Sequence, residues 1–165
     1  MPVGSGRIKA GEGSLIGNAG EFYVVAELLK RGVIAALVPR NTPAVDVLAT
    51  RNDRTVRIRV KTKSDEYPEW QWVVKKDGTI FRSLSDKSDF TVLVNLAMDH
   101  KDLRFYVVPT TTIDGWLKQD HDEWLRTPGK FGRAHSPENK KRHLNEDKHS
   151  NDLIHYLNRW DLLWS

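Results

Sequence analysis

The chain has 165 residues, a length that fits one domain with a full core and no need for disulfide or metal staples. Hydrophobic residues make up 39% and charged residues 29%, a globular composition. Cysteine is absent, which excludes disulfides, cysteine-ligated metal sites and a cysteine nucleophile. Because no apolar run approaches the roughly 20 residues of a membrane span and residues 1–13 lack a signal-like apolar segment, we expect a cytoplasmic protein without a membrane partner.

The charge is distributed unevenly along the chain. Residues 1–63 hold 11 Lys or Arg against 5 Asp or Glu, a net of +6, while the rest of the chain brings the total down to +4. This asymmetry favours a polyanionic partner for the first part of the chain. A solvated surface with a basic bias is the alternative, and the charge alone does not separate the two.

Six glycines fall within the first 20 residues, which predicts a flexible arm over 1–16 followed by a single domain over 17–165. Apolar residues then recur with helical spacing and predict a helix over 19–31. Asn18 is a candidate N-cap for that helix, and Glu21 would complete a capping box.

Strand-like segments follow in chain order. They cover 33–38, 45–50, 55–63, 70–74, 79–82, 90–96 and 103–108. An Asp-Gly pair at 77–78 predicts a hairpin between the fourth and fifth segments. Helical spacing returns over 112–125 and 151–164, with a polar loop predicted over 127–149. This order predicts an α/β domain with a mixed central sheet flanked by helices.

Residues 55–63 alternate strictly, so the basic side chains of this strand share one face. If a turn of two or four residues joins it to strand 45–50, Asp46 shares that face and lies opposite Arg59 or Lys61. A carboxylate beside a lysine suits metal-dependent phosphodiester hydrolysis: the carboxylate holds Mg²⁺, and the lysine stabilises charge or orients water. Glu21 is the candidate further acid. The alternatives are a cross-strand salt bridge for Asp46 and the capping box for Glu21.

Basic residues cluster along the same hairpin. The cluster predicts contacts with the nucleic-acid backbone, DNA being the expected partner, through Arg54, Arg57, Arg59 and Lys63. A charged strand face paired with nearby acidic residues is the alternative. A second basic run, at 140–143, could also contact phosphate or be an ordinary surface loop.

Several motifs together resemble the PD-(D/E)XK nuclease superfamily, in particular small prokaryotic members related to restriction endonucleases and archaeal Holliday-junction resolvases. They are the helix motif Gly20-Glu21-x-x-Val24-Val25-x-x-Leu28-Leu29-x-x-Gly32, the strands Asp46-Val47-Leu48-Ala49, Arg57-Ile58-Arg59-Val60-Lys61-Thr62, Asp89-Phe90-x-Val92-Leu93-Val94 and Phe105-Tyr106-Val107-Val108-Pro109, and the ending Tyr156-Leu157-x-x-Trp160-Asp161-Leu162-Leu163.

The resemblance implies a restriction-endonuclease-like core and Mg²⁺- or Mn²⁺-dependent hydrolysis of a nucleic-acid backbone. It implies that Glu21 and Asp46 are metal ligands, that Lys61 is the catalytic lysine, and that the protein is a homodimer.

One position departs from the family pattern, which has Glu, Asp or Gln two residues before the lysine. Here that residue is Arg59, and a guanidinium repels a cation rather than binding one. Two interpretations follow. Either Glu21, Asp46 and a main-chain oxygen hold the metal while Arg59 binds phosphate, or Arg59 pairs with Asp46 in place of the metal and the protein binds nucleic acid or a protein complex without cutting.

Overall fold

The computed structural model describes residues 12–81 and 87–165. Its longest strand is the one in which apolar and basic residues alternate. The helices are α1 (Glu12–Lys30), α2 (Thr110–Arg126) and the short α3 (Ser150–Leu153). The strands are β1 (Ile34–Leu37), β2 (Val47–Arg51), β3 (Arg54–Ser64), β4 (Glu69–Val73), β5 (Asp89–Leu96), β6 (Arg104–Pro109) and β7 (Lys141–Asn145).

The main sheet has five strands in the order β1-β2-β3-β5-β6. Strands β3 and β5 run parallel and the other neighbours run antiparallel, so the sheet is mixed, as predicted. Strands β4 and β7 pair separately as an antiparallel two-stranded sheet, called the ribbon below.

Two hydrophobic clusters lie on opposite faces of the main sheet. On one face α1 packs against β3 through Val24, Leu28, Val56 and Ile58, all with no exposed surface. On the other face the ribbon and α2 pack over β5 and β6, which explains why β5 is apolar along most of its length. The predicted α/β fold class, a mixed sheet between helical layers, is confirmed.

The first helix begins earlier than the sequence predicts. Residues 12–16 belong to α1 rather than to the predicted arm, and residues 1–11 of that arm lie outside the described residues. A glycine within a helix costs only about 1 kcal/mol, so packing on the sheet suffices to carry the helix through Gly13 and Gly17. Asn18 therefore lies inside the helix, and the predicted N-cap there is wrong.

The predicted loop over 127–149 contains β7, which pairs with β4. The turn at 77–78 forms, with Gly78 N–H donating to the Lys75 carbonyl at 3.0 Å, but β4 pairs with β7 across the molecule rather than with 79–82. Residue 82 of that predicted strand lies outside the described residues.

The predicted C-terminal helix over 151–164 is broken into short helical turns. Asn158 has a φ of +54°, which interrupts the helix, and Leu157 instead forms a bridge with Tyr106 of β6. No helix within 12–81 or 87–165 is long and apolar enough to cross a membrane.

Candidate active site at the ends of β2 and β3

Asp46 lies immediately before β2, where this strand approaches β3. Val47 pairs with Ile58, so continuing the register places Asp46 opposite Arg59, one of the two predicted positions. The Asp46 N–H donates to the Ile58 carbonyl at 2.9 Å, and its Oδ2 accepts the Val60 N–H at 2.7 Å. These backbone contacts fix the carboxylate while Oδ1 accepts no hydrogen bond from the described residues.

Glu21 reaches the same place from α1. The helix approaches β3 so closely at Gly20 that a Cβ there would collide with the side chain of Thr62. This approach brings the next residue, Glu21, to the wall of a cavity of about 210 Å³ that Asp46 also lines. Other residues around it are Asn18, Val38, Pro39, Arg40, Asn41, Thr42 and Val45.

Neither carboxylate is neutralised by an ordinary ion pair. Among the described residues Glu21 makes no hydrogen bond or salt bridge, and Asp46 makes only the contact with Val60. Both structural alternatives, the capping box and the cross-strand salt bridge, are therefore wrong.

Burial raises the pKa of the Glu21 carboxyl and the nearby charge of Asp46 raises it further, while the charge of Arg40 opposes both. Burial also raises the pKa of Asp46, although the Val60 N–H and the charges of Arg59 and Lys61 oppose that shift. Two partly buried carboxylates that repel each other form a site that a cation would stabilise.

The basic face of β3 is covered by aromatic rings. Each of three consecutive cations lies over one ring: Arg59 Cζ is 5.3 Å from the Phe81 centroid, Lys61 Nζ is 5.3 Å from that of Trp72, and Lys63 Nζ is 5.0 Å from that of Trp70. Such contacts stabilise a desolvated cation by about 0.5–2 kcal/mol. The two tryptophans therefore belong to the core and hold the ribbon against β3.

Lys61 differs from its two neighbours in this row. Arg59 is paired with Asp89, and Lys63 with Glu146 at 2.7 Å, whereas Lys61 has no ion pair among the described residues. Burial lowers the pKa of Lys61, and the charge of Asp46 opposes that shift. Lys61 is thus a half-buried lysine without an ion pair beside Asp46, and it is the residue that the family resemblance predicts as the catalytic lysine.

Arg59 does not occupy the position that the second interpretation gave it. Its Nη1 donates to Asp89 Oδ1 at 2.7 Å, and Thr110 Oγ1 lies 3.5 Å away. Asp89 belongs to β5, on the opposite side of β3 from β2 and Asp46. No ion pair joins Arg59 to Asp46 in the described parts of the chain, so the predicted Arg59–Asp46 pairing is wrong.

The other predicted nucleic-acid contacts are scattered. Arg57 pairs with Asp89 at 3.3 Å, and Arg54 donates to the Ser165 carbonyl at 3.1 Å. The Lys63 side chain is only 4% exposed and that of Arg59 is 11% exposed. Burial under Phe81 for Arg59 and under the ribbon for Lys63 thus withdraws both side chains from direct contact with a polyanion.

Sequence patterns missed the buried acids that organise this face. Asp89 stands at the start of β5, and Glu146 accepts hydrogen bonds from Asn95, Arg104 and Tyr106 at 2.7–3.0 Å. The excess of cations on one face of β3 was a signal that acidic partners exist elsewhere in the chain, because buried cations need partners. The sequence does not say which distant acids supply them.

The residues at the site fit a divalent cation of the Mg²⁺ type. The described residues hold no group of three His, Cys, Asp or Glu positioned to bind a metal. Mg²⁺, however, is commonly bound through one or two carboxylates and several waters. Glu21 and Asp46 supply two such oxygen ligands in a polar cavity.

The mixed five-stranded sheet between helical layers defines the class of fold, which is restriction-endonuclease-like. The chain is similar in structure to a bacterial homing endonuclease, I-Ssp6803I, with a TM-score of 0.53, 16% identity and 91% of each chain covered. A Holliday junction resolvase from Archaeoglobus fulgidus matches with a TM-score of 0.42 and 13% identity, over 82% of this chain and 88% of its own. No protein-family model matches the chain, and no curated protein sequence does. The first likeness shows the fold that the motifs predicted.

Proposed function

We propose that this protein is a nuclease that hydrolyses phosphodiester bonds of DNA with the help of Mg²⁺ or Mn²⁺. Glu21 and Asp46 are the proposed metal ligands, and Lys61 is the proposed catalytic lysine. The observation that carries the proposal is that Glu21 and Asp46, neither with an ion pair among the described residues, line one cavity where β2 and β3 part, with Lys61 near enough for the charge of Asp46 to act on it.

The fold supports this proposal. The similar structure with a TM-score of 0.53 is that of a homing endonuclease, and the candidate residues lie on the elements on which the motifs predict the active site. Since one fold hosts many functions, the chemistry of Glu21, Asp46 and Lys61 carries the argument.

Each residue has a definable task. The Val60 N–H holds Asp46 through Oδ2 and leaves Oδ1 without a hydrogen bond from the described residues, and Glu21 would add a second anionic oxygen from α1. A bound divalent cation would polarise the phosphate and lower the pKa of a water molecule. The Lys61 ammonium, positioned by Trp72, would neutralise charge that develops on the phosphate oxygens or orient the attacking water.

A second candidate function is binding of DNA without cleavage. Arg59 favours it, because a cation stands where the family motif has a metal ligand, and its charge acts on Asp46. The homodimer and the cytoplasmic location stay predictions.

A cleavage assay on duplex, branched and single-stranded DNA, with Mg²⁺ or Mn²⁺ and with chelator, tests the first proposal. We expect metal-dependent cleavage by the wild type and a loss of at least about 100-fold in Asp46→Asn and Lys61→Met. Asp53→Asn is the matched control, because Asp53 is an exposed aspartate in the turn between β2 and β3.

Cleavage that survives in Asp46→Asn would place the active site elsewhere. Salt-dependent DNA binding by the wild type without cleavage, under either metal, would favour the second candidate. If wild type neither binds nor cuts any of the three DNA forms, both candidates fail.

A further inference from the structure

A groove separates the C-terminal half of β3 from the ribbon. Its volume is about 480 Å³, and its lining includes Lys61, Tyr67, Gln71 and Lys141. We propose that this groove binds the DNA strand on one side of the cleaved bond, with Lys141 of β7 as the residue that contacts its phosphates. The proposal rests on the proposed nuclease function and assigns that function a strand-binding surface.

The ribbon changes which cations are accessible. It covers the face of β3 on which the sequence predicts the phosphate contacts, and Trp70 and Trp72 lie directly over Lys63 and Lys61. A strand approaching the site from this side therefore meets the ribbon before it meets the buried part of β3.

Alternation along the ribbon decides which side chains face outward. Trp70 pairs with Leu144 and Trp72 with Arg142 on the inner face, so Gln71 and Lys141 belong to the outer set. Both are exposed. Of the groove-lining residues in this outer set, Glu69 is anionic and Lys141 is the cation, and Lys141 belongs to the basic run at 140–143 for which the sequence left a phosphate contact open.

The groove also has an excess of positive charge that is not cancelled internally. Lys63 is paired with Glu146, and the single carboxylate of the lining, Glu69, which contacts His143 Nδ1 at 2.7 Å, stands against the two remaining lysines, Lys61 and Lys141. Lys141 and Lys61 have no ion pair among the described residues. Two cations without partners at the wall of a groove are suited to a phosphodiester backbone.

Lys61 links the groove to the candidate active site, although the two cavities share no lining residue. Lys61 lines the groove, and the charge of Asp46 acts on Lys61 across the end of β3. A strand lying in the groove would therefore place one phosphate near Lys61 and a neighbouring phosphate near Lys141.

The test compares DNA binding by Lys141→Gln and Lys140→Gln without divalent metal, as a function of salt. Lys140 is an exposed lysine one position earlier in the chain and does not line the groove, so the two variants lose the same charge. We expect Lys141→Gln to weaken binding about fivefold to tenfold. We also expect it to reduce the salt slope by about 0.9, the value for one phosphate contact. Lys140→Gln should change affinity less than about twofold.

Site-specific cross-linking gives a second measurement. Because the chain has no cysteine, Gln71→Cys creates a unique thiol on the rim of the groove, and Lys140→Cys creates a matched thiol outside it. With DNA carrying a disulfide-activated tether on the phosphate next to the cleaved bond, we expect a cross-link at position 71 and little at position 140.

Equal weakening by the two glutamine variants, or equal cross-linking at the two positions, would overturn the groove as the strand site while the nuclease proposal stands. If the wild type binds DNA without cutting and the difference between the variants persists, the groove stands and the nuclease proposal fails. The absence of any DNA binding would overturn both.

Discussion

Arg59 and Asp89 form an ion pair across the parallel strands β3 and β5, with 2.7 Å between Nη1 and Oδ1. The Asp89 side chain is 2% exposed, so this pair belongs to the interior. Because β5 and β2 flank β3 on opposite sides, the pair draws the guanidinium toward β5 and leaves the carboxylates of Glu21 and Asp46 facing their own cavity. An arginine at the position of a usual metal ligand is thus compatible with a cation at Asp46.

This pair predicts opposite effects of two variants on metal affinity. In Asp89→Asn, Arg59 loses its strongest partner and gains freedom to approach Asp46, so we expect Mn²⁺ affinity to fall. In the double variant Arg59→Gln, Asp89→Asn, the competing charge is removed and affinity should rise by about tenfold, or about 1.4 kcal/mol. Calorimetric titration measures both.

Thermal unfolding controls for stability, since breaking a buried ion pair costs about 3–5 kcal/mol. A double variant that binds Mn²⁺ no better than the wild type would show that Arg59 has no influence on the metal site.

Trp72 predicts a positioning effect on Lys61. Trp72→Leu removes the ring that lies 5.3 Å from the Lys61 Nζ, whereas Trp72→Phe keeps an aromatic face. We expect kcat for DNA cleavage to fall about tenfold in Trp72→Leu with little change in KM, and to recover largely in Trp72→Phe. The pH profile of kcat should shift in the leucine variant alone, because its lysine is in a different environment. A purely structural role would instead lower the amount of folded enzyme and leave the pH profile unchanged.

The carboxylates predict how stability depends on pH. The pKa of Glu21 is raised above its ordinary value of 4.5, so the fold favours the protonated form. The stability this contributes is present below pH 4.5 and is lost as the pH rises through the raised pKa. Metal-free Glu21→Gln should therefore melt at a higher temperature than the wild type at pH 7, and the difference should shrink when both are measured near pH 4.

Glu66→Gln serves as the control, since Glu66 is exposed and lies away from the cavity. If Glu21→Gln and Glu66→Gln melt alike at pH 7, burial and the charge of Asp46 do not raise the pKa of Glu21 as we infer.

Two glycines of α1 predict opposite responses to the same substitution. Gly17 has open space around its Cα, so Gly17→Ala should stabilise the helix by about 0.5–1 kcal/mol. A Cβ on Gly20 would collide with Thr62, so Gly20→Ala should cost about 1–3 kcal/mol and lower metal affinity by moving Glu21. Chemical denaturation gives the first comparison and calorimetry the second. Stabilisation by both alanines would mean that α1 does not approach β3 as closely as described.

Local patterns predicted much of this molecule. Strict alternation over 55–63 gave the orientation of β3, and the short turn before it limited Asp46 to two registers, one of which forms. The ribbon escaped prediction because β4 and β7 are separated by most of the C-terminal half of the chain, and no local pattern specifies such a partner. That pairing contributes to the burial of the basic face. Because local patterns do not reveal the pairing, the sequence predicted that Arg59 and Lys63 contact DNA.

The histidines show the same limit. His149 is buried and contacts Asp120 at 2.7 Å, and Trp124 stacks between His121 and His135. Polar composition predicted a loop over 127–149, whereas its His135 and His149 contact Trp124 and Asp120 of α2.

Titration of Mn²⁺ into the wild type, Asp46→Asn and Asp53→Asn by calorimetry tests most directly whether Asp46 and Glu21 form a cation site. We predict binding by the wild type and by Asp53→Asn, and its loss in Asp46→Asn. Equal binding by all three proteins would place the metal elsewhere, and no binding by the wild type at millimolar Mn²⁺ would contradict the site itself.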